Sequence, residues 1–189
     1  AGELLDTYTA ERHPLAVAMV EHSTNTGKLI DAYAAMARGG PEPPPELREY
    51  AYGGNRRLPD LSGGLLALGD SDWVGRPIPR ARVRGAGGDG PLDDVVGPRW
   101  AVLANDAARD RLDGRSRDFL REIDAQMVSI PEPEGAMLGL LLAHEAVIAR
   151  PDRVIYGVAS AGGLSNLVAR LRADLGGLVS PSRASPAMA

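Results

Sequence analysis

The sequence AVIARPDRVIYGVAS, at residues 146–160, contains two short apolar runs on either side of a Pro-Asp dipeptide. Each run has the length and the β-branched and aromatic content of a buried strand. Pro151 and Asp152 are typical turn residues, and a tight turn between consecutive strands makes them antiparallel. The segment therefore predicts an antiparallel strand pair within a β-sheet.

The flanking sequence alternates between strand and helix patterns. RWAVLA at 99–104 and MVSIP at 127–131 are typical of short buried strands, and SRDFLREIDAQ at 116–126 of a helix capped by Ser116. GAMLGLLLAHE at 135–145 and LSNLVARLRADLG at 164–176 predict two further helices. A strand-helix-strand crossover makes parallel neighbours, so the sheet is mixed, with helices on its faces. We therefore predict an α/β domain of thioredoxin-like arrangement.

Two kinds of sequence precede this domain: a segment rich in Pro and Gly, and then a segment with strand patterns. PIPRARVR at 77–84 and PLDDVVG at 91–97 predict short strands or an extended arm around the turn GAGGDG. Residues 41–75 are rich in Pro and Gly and predict a linker, with one helical turn at 46–52 and a domain boundary near Trp73. The thioredoxin-like domain is thus expected at 76–178, and the tail at 179–189 is expected to be disordered.

The first forty residues predict a helical segment. An apolar stripe recurs close to every 3.6 residues and predicts a helix over 14–37, while a shorter helix through Tyr8 precedes it. Pro14 predicts a kink or restart at 11–14, and Gly39 and Gly40 end the segment. The stripe consists of Leu15, Met19, Thr26, Ile30 and Tyr33.

Composition excludes several classes of function. The chain has no cysteine, which excludes disulfides, thiolate metal sites and a Cys nucleophile. Its net charge of −4 gives no general attraction to nucleic acid or to anionic lipid. No apolar run approaches the roughly 20 residues that span a bilayer, and no signal pattern is present. We expect a cytoplasmic protein that binds neither nucleic acid nor membrane.

Histidines and paired acids are the first candidates for chemistry. His13 and His22 are nine residues apart on a helix and point in different directions, and His144 lies far along the chain, so we predict no metal or acid–base site. The acidic pairs predict turn and capping residues rather than catalytic or Mg²⁺-binding carboxylates. These pairs are Asp70 with Asp72, and Asp93 with Asp94.

One basic run and one glycine-containing junction complete the candidates. The alternating arginines at 76–84 predict a solvated face of an extended arm, because a nucleic-acid site needs more charge and interleaved aromatics. These arginines are Arg76, Arg80, Arg82 and Arg84. The sequence SAGG at 160–163 could place an anion at a helix N-terminus, but it lacks the lysine of a phosphate loop and predicts an ordinary N-cap. No catalytic, cofactor-binding or metal-binding residue is assigned.

Three segments together resemble the flavin-dependent aromatic hydroxylases, and especially the hydroxyphenylpropionate hydroxylase-like members. LLDTYTAERHP at 4–14 is similar to the helix that follows the FAD-contacting segment of that family. GRPIPRARV at 75–83 continuing through LDDVVGPRWAVL at 92–103, and IARPDRVIYGVAS at 148–160, are similar to its thioredoxin-like C-terminal domain. The segments occur in the family's order.

The resemblance implies the C-terminal part of a larger enzyme. Such an enzyme binds FAD, is reduced by NADH or NADPH, and hydroxylates a phenolic substrate. The family's Gly-x-Gly-x-x-Gly fingerprint follows a first strand and opens a helix, and no segment here does so. We therefore expect this chain alone to bind no FAD and to be inactive. The first helices would pack on a flavoprotein body outside this chain.

A second hypothesis belongs to another class of function. The chain could be a stand-alone, redox-inactive thioredoxin-like module whose N-terminal helices form a homodimer, because the predicted domain looks complete while the helical segment exposes an apolar face. The sequence identifies neither the aromatic substrate nor the choice between NADH and NADPH.

Overall fold

The computed structural model describes residues 2–52, 60–67, 69 and 71–179. Its centre is a four-stranded mixed sheet with the strand order β4-β3-β5-β6. β3 pairs with β4 in parallel and with β5 antiparallel, and β5 pairs with β6 antiparallel. These relations confirm the predicted mixed sheet and the turn at Pro151 and Asp152. The strands are β3 (Ala101–Ala104), β4 (Gln126–Val128), β5 (Ala146–Ala149) and β6 (Ile155–Ala159).

Helices cover both faces of the sheet. The crossover from β3 to β4 carries a short helix that the sequence did not predict and then the predicted one. A two-stranded hairpin, β1 (Arg82–Gly85) with β2 (Gly88–Pro91), precedes the sheet. The helices of this part are α3 (Leu92–Val96), α4 (Asp106–Asp110), α5 (Gly114–Glu122), α6 (Gly135–Ala143) and α7 (Leu164–Val179).

Alternation along the strands divides the core into two layers. Val102 and Ile148 face α5 and α7, whereas Leu103 and Val147 face α3 and α6. All four residues of β3 and of β5 are buried, as expected for central strands covered on both sides. Tyr156 lies in the α7 layer, where its hydroxyl donates to Asp174 Oδ2 at 2.6 Å. Burial and this bond raise the pKa of Tyr156.

Two local predictions were wrong. The segment LDDVV is helix α3 rather than a strand, because Asp93 and Asp94 suit the first turn of a helix and Leu92 and Val96, one turn apart, are both buried. Helix α5 is capped by Asp113 rather than Ser116: Asp113 Oδ1 accepts the Ser116 N–H at 2.8 Å.

The N-terminal segment forms one helix, α1 (Gly2–Ala37), followed by α2 (Pro45–Tyr52), which packs against it. The predicted restart at 11–14 was therefore wrong, since Pro14 lies inside α1. Proline removes one backbone hydrogen bond, at about 3 kcal/mol in a helix interior, but leaves the flanking turns intact. Glu11, within the preceding turn, is held by tertiary contacts described below. No helix in the described ranges is long and apolar enough to cross a membrane.

The second half of the predicted linker packs on the sheet. Ala67 N–H donates to the Tyr156 carbonyl at 2.7 Å, and Gly75 N–H to the Ile155 carbonyl at 2.9 Å. The Leu61 N–H donates to the Gly75 carbonyl at 2.9 Å, and Leu66 is buried. This irregular backbone covers the free edge of β6. Its lack of periodicity made it look like a linker. The domain boundaries proposed above stay predictions, and residues 180–189 of the predicted tail lie outside the described residues.

Candidate functional site: helix α1 and its anchor on the sheet domain

A buried ion pair joins α1 to the sheet domain, defined as the described residues from 60 to 179. Arg150 directly follows β5, and its guanidinium contacts the Glu11 carboxylate with Nη1–Oε1 at 2.5 Å and Nη2–Oε2 at 2.9 Å. The Glu11 and Arg150 side chains are only 9% and 11% exposed. Because this pairing uses both carboxylate oxygens and two guanidinium nitrogens, it fixes orientation as well as distance.

Neighbouring groups complete the anchor. The Leu65 N–H donates to Glu11 Oε1 at 3.0 Å, and the Leu65 carbonyl accepts from Arg150 Nη1 at 3.2 Å. Arg150 also pairs with Asp152 at 2.9 Å. Gly64 lies against the Glu11 side chain with a φ of +86°, so a Cβ there would overlap Glu11 and strain the backbone. We call Glu11, Arg150, Asp152, Gly64 and Leu65 the α1 anchor.

The anchor controls the ionisation of Glu11. Burial by itself would raise the pKa of Glu11, but the hydrogen bonds from Arg150 and Leu65 and the charges of Arg150 and Arg12 outweigh it, so the pKa is lowered from the ordinary 4.5. Burial by itself would lower the pKa of Arg150, but the hydrogen bonds and charges of Glu11 and Asp152 outweigh this effect, so the pKa of Arg150 is raised. Both groups are charged at neutral pH.

This shift predicts an acid dependence of the anchor. A carboxyl whose pKa is lower in the folded state adds stability above its unfolded pKa, and that stability disappears as the pH falls through the folded pKa. The difference in free energy of unfolding between the wild type and Glu11→Gln should thus be constant above about pH 5 and shrink below 4.5. Urea titrations of both proteins from pH 7 to pH 3 measure this difference in free energy of unfolding. The exposed Glu21→Gln on the same helix is the control, and a pH-independent difference for Glu11→Gln would contradict the assignment.

The other feature of α1 is an exposed apolar stripe. Tyr8, Met19 and Ile30 follow one another at eleven-residue spacing, about three turns, so they lie on one side of the helix with Tyr33. In the structure the stripe is defined by these four residues. They are 61%, 48% and 63% exposed. From Tyr8 to Tyr33 the stripe extends about 37 Å at 1.5 Å per residue. Of the stripe positions predicted from the sequence, Leu15 and Thr26 are half-buried.

Large apolar side chains are exposed on other sides of α1 as well. Val17, Val20 and Met36 are exposed in addition to the stripe. Exposed apolar side chains thus lie on more than one side of α1, although exposed charged residues such as Glu21 and Lys28 lie on the same helix. The α1 anchor ties this helix to the sheet domain, while these apolar side chains remain exposed.

The structure keeps the candidate histidines and acids apart. His13 is exposed on α1, and His144 at the end of α6 forms a 3.1 Å hydrogen bond between its Nε2 and Ser71 Oγ. Burial lowers the pKa of His144, so it is neutral at neutral pH. Asp93 pairs with Arg153 Nε at 2.6 Å, which fits the structural role predicted for it. In the part of the chain that the structure describes, no group of three or more His, Asp or Glu could hold a metal. The other candidates of this kind are His22, which is half-buried, Asp72 and Asp94, which are exposed, and Asp70, which lies outside the described residues.

The arginine run is divided among separate contacts. Arg76 pairs with Asp60 at 3.1 Å and lies 5.7 Å from the Trp73 ring centroid, while Arg84 pairs with Asp89 at 3.1 Å. The remaining two are exposed: Arg80 lies just before the hairpin and Arg82 begins strand β1. Two of the four cations thus have acidic partners, as on an ordinary solvated face.

The SAGG junction holds an internal carboxylate. Gly162, two residues before α7, donates its N–H to Glu145 Oε2 at 2.7 Å, and Arg111 forms an ion pair with Glu145. The position where an external anion would lie is therefore taken by a side chain of the protein itself. A cavity of about 320 Å³ lies beside it at the carboxyl ends of β3 and β4. Its polar lining includes Asn105, Ser129 and His144.

The described residues do not fit a dinucleotide or FAD pyrophosphate site. Gly85, Gly87 and Gly90 have the spacing Gly-x-Gly-x-x-Gly, but Gly85 ends strand β1, Gly87 lies in the hairpin turn and Gly90 lies in strand β2. The fingerprint requires a helix N-terminus directly after the glycines, where the pyrophosphate binds. Here the three glycines lie within an antiparallel hairpin, and none lies at a strand-to-helix turn or in the first turn of a helix, so no FAD-binding step is derived from them.

Sequence reasoning missed the α1 anchor. Glu11 and Arg150 are 139 residues apart, and no local period links them. One signal was present: Glu11 lies in LLDTYTAERHP and Arg150 in IARPDRVIYGVAS, two of the segments that carry the family resemblance. A buried pairing between those segments was the available hypothesis.

Among the comparisons with known proteins, only solved structures match this chain, and they show its fold. No protein-family model matches the chain. No curated protein matches it. Among solved structures, the flavin-dependent monooxygenase PieE in complex with FAD and substrate matches with a TM-score of 0.57 and 19% identity over 93% of this chain and 40% of its own.

Two further structures agree with this likeness. OxyS anhydrotetracycline hydroxylase from Streptomyces rimosus matches with a TM-score of 0.55 and 20% identity, over 90% of this chain and 36% of its own. Aklavinone-11 hydroxylase in a ternary complex with FAD and aklavinone matches with a TM-score of 0.53 and 19% identity, over 90% and 35%. The chain thus has the fold found in part of FAD-dependent hydroxylases, and it spans 40% or less of their length.

Proposed function

We propose that this chain is the C-terminal portion of an FAD-dependent, NAD(P)H-using monooxygenase that hydroxylates a phenolic or other aromatic substrate. The observation that carries the proposal is the combination of two facts. The fold matches PieE over 93% of this chain but only 40% of that enzyme, and α1 exposes an apolar stripe of the kind that a larger body buries. The hydroxyphenylpropionate hydroxylase-like type remains a sequence-based proposal.

Each part of the chain has a proposed place in that enzyme. Residues 1–40 belong to the FAD and substrate domain, and 76–178 form a thioredoxin-like domain. The strand order β4-β3-β5-β6, with one parallel and two antiparallel pairs, supports that assignment. The sheet domain lacks cysteine, so its contribution is architectural rather than redox chemistry.

The cofactors and the substrate are assigned to the whole enzyme. FAD, with NADH or NADPH as reductant, would bind outside this chain, and FAD supplies the oxygen-activating chemistry when bound. The protein's own part is to orient the aromatic ring and exclude water. No residue of this chain is proposed to act in catalysis or to contact FAD. We propose a cytoplasmic location.

The first test concerns the isolated chain. We expect the purified protein to be colourless, to show no heat signal on titration with FAD, and to hydroxylate no phenol, because its Gly-x-Gly-x-x-Gly glycines lie in the antiparallel β1–β2 hairpin rather than at a strand-to-helix turn. Isothermal titration calorimetry and flavin absorbance measure this. Stoichiometric FAD binding would contradict the proposed division of the enzyme.

The second test concerns the reading frame upstream of Ala1. We expect it to encode a strand followed by Gly-x-Gly-x-x-Gly and a helix. The family that the sequence resembles also has a later Gly-Asp motif that contacts the flavin ribityl chain, and we expect that motif there as well. Co-expression of that polypeptide with this chain should give a yellow complex with NAD(P)H-dependent hydroxylase activity. A frame lacking both motifs would remove the support for the proposal.

The alternative of a stand-alone module predicts a different behaviour. A homodimer through α1 would give a defined doubled mass in light scattering, with α1 resistant to protease. The exposure of the α1 stripe suits this alternative also. The C-terminal portion of an enzyme would instead give no such defined doubled mass, because its docking partner is a different part of the enzyme.

A further inference from the structure

The α1 anchor is more elaborate than a contact that merely adds stability. It brings together three separate segments: α1, the irregular chain at 61–67, and the turn between β5 and β6. A buried ion pair is on balance weak evidence for stability, because the loss of hydration offsets much of its attraction. What such a pair does supply is a defined geometry.

We propose that Glu11 is a positioning residue, which through its ion pair with Arg150 holds α1 on the sheet domain in one orientation, so that the stripe is presented as a preformed docking face. That the face meets a flavin-binding body rests on the proposed function above. The orientation itself is a property of this chain.

The geometry of α1 supports this role. Tyr8 and Glu11 are three residues apart, so their side chains point about 60° apart around the helix axis. Glu11 is 8% exposed against the sheet domain while Tyr8 is 61% exposed. The anchor therefore holds one side of α1 and leaves the stripe uncovered. A helix fixed in this way loses less freedom on docking, which strengthens association without any new contact.

Glu11 is the better residue of the pair to substitute, because Arg150 has other partners in the sheet domain. If Glu11 becomes neutral, Arg150 keeps Asp152 at 2.9 Å and the Leu65 carbonyl, so the sheet domain retains a partner for its arginine. Loss of the Glu11 charge thus releases α1 while the sheet domain stays folded. Removal of Arg150 instead leaves Glu11 buried without its cation.

The absence of cysteine allows a direct measurement of orientation. Val20→Cys on α1 and Arg121→Cys on α5 are exposed positions for a pair of nitroxide labels. Double electron–electron resonance on the labelled chain should give a single narrow distance maximum. In the Glu11→Gln background we expect loss of that single maximum, and in the exposed control Glu21→Gln we expect it unchanged.

A second variant changes the anchor at a sheet-domain residue that contacts Glu11. Gly64→Ala leaves both charges in place but sets a Cβ against Glu11, so it should also lose the single maximum. Near-ultraviolet circular dichroism of the buried Tyr156 and its neighbour Trp100 should remain as in the wild type for both variants. An unchanged distance distribution in Glu11→Gln, or a broad one in the wild type, would overturn the proposal. Neither measurement uses flavin, so failure here is separate from failure of the hydroxylase assignment.

Discussion

Arg150→Met is expected to lower the free energy of unfolding by about 3–5 kcal/mol, the cost of breaking one half of a buried ion pair. The methionine keeps the length of the side chain but leaves the Glu11 carboxylate, 9% exposed, without a cation. Asp152 also loses its partner, but at 41% exposure it is hydrated by solvent. Chemical denaturation at neutral pH measures the change.

Two further variants separate this effect from a general loss of an arginine. Arg121→Met removes an exposed arginine paired with Asp118 and should change the free energy of unfolding by no more than about 1 kcal/mol. Glu11→Gln combined with Arg150→Met removes both charges and should be more stable than Arg150→Met alone. If the double variant were as unstable as the sum of the single variants, the two residues would not be coupled.

Gly75→Ala is expected to cost about 3 kcal/mol, which combines left-handed backbone strain of about 1–3 kcal/mol with weakened hydrogen bonds of about 1 kcal/mol each. Gly75 has a φ of +84°, and a Cβ there would overlap the Leu61 carbonyl. The bonds at risk are those from Leu61 to Gly75 and from Gly75 to Ile155, both 2.9 Å. They hold the described residues between 60 and 75 on the edge of β6.

The matched control is Gly87→Ala in the β1–β2 turn. A Cβ at Gly87 meets nothing within 4 Å, so its effect on the free energy of unfolding should stay within about 0.5 kcal/mol. Urea denaturation of the two variants gives the comparison. Equal stability of Gly75→Ala and Gly87→Ala would mean that residues 60–75 behave as the linker that their composition predicts.

The sequence was sufficient to predict the sheet, because the apolar runs and turn residues that mark its strands are local features of the chain. The apolar runs of β3 and β5 are fully buried, and that of β6 is buried except at the half-buried Val158. These runs are short and bounded by turn residues, so strand type and neighbour direction follow from the chain alone. The crossover between β3 and β4 also has the predicted helix α5. The predictions that failed there concern ends and caps, where a shift of one turn changes the residue involved.

The remaining features depend on tertiary contacts. LDDVV has β-branched residues that suggest a strand, yet burial of Leu92 and Val96 on one side selects the helix α3. Residues 60–67 have no period at all, and they are held by the hydrogen bonds from Ala67 to Tyr156 of β6 and from Leu61 to Gly75. The Glu11–Arg150 pair joins distant residues, so no window along the chain could predict it.

The exposed stripe of α1 is the central claim, and association with the polypeptide encoded upstream tests it most directly. Light scattering and flavin absorbance would be recorded for mixtures of that polypeptide with the wild type, with Ile30→Asp in the stripe, and with Glu21→Gln as the control. We predict a yellow complex of one copy of each for the wild type and the control, and none for Ile30→Asp. A homodimer of this chain that ignores the upstream polypeptide, and that Ile30→Asp converts to a monomer, would contradict the account.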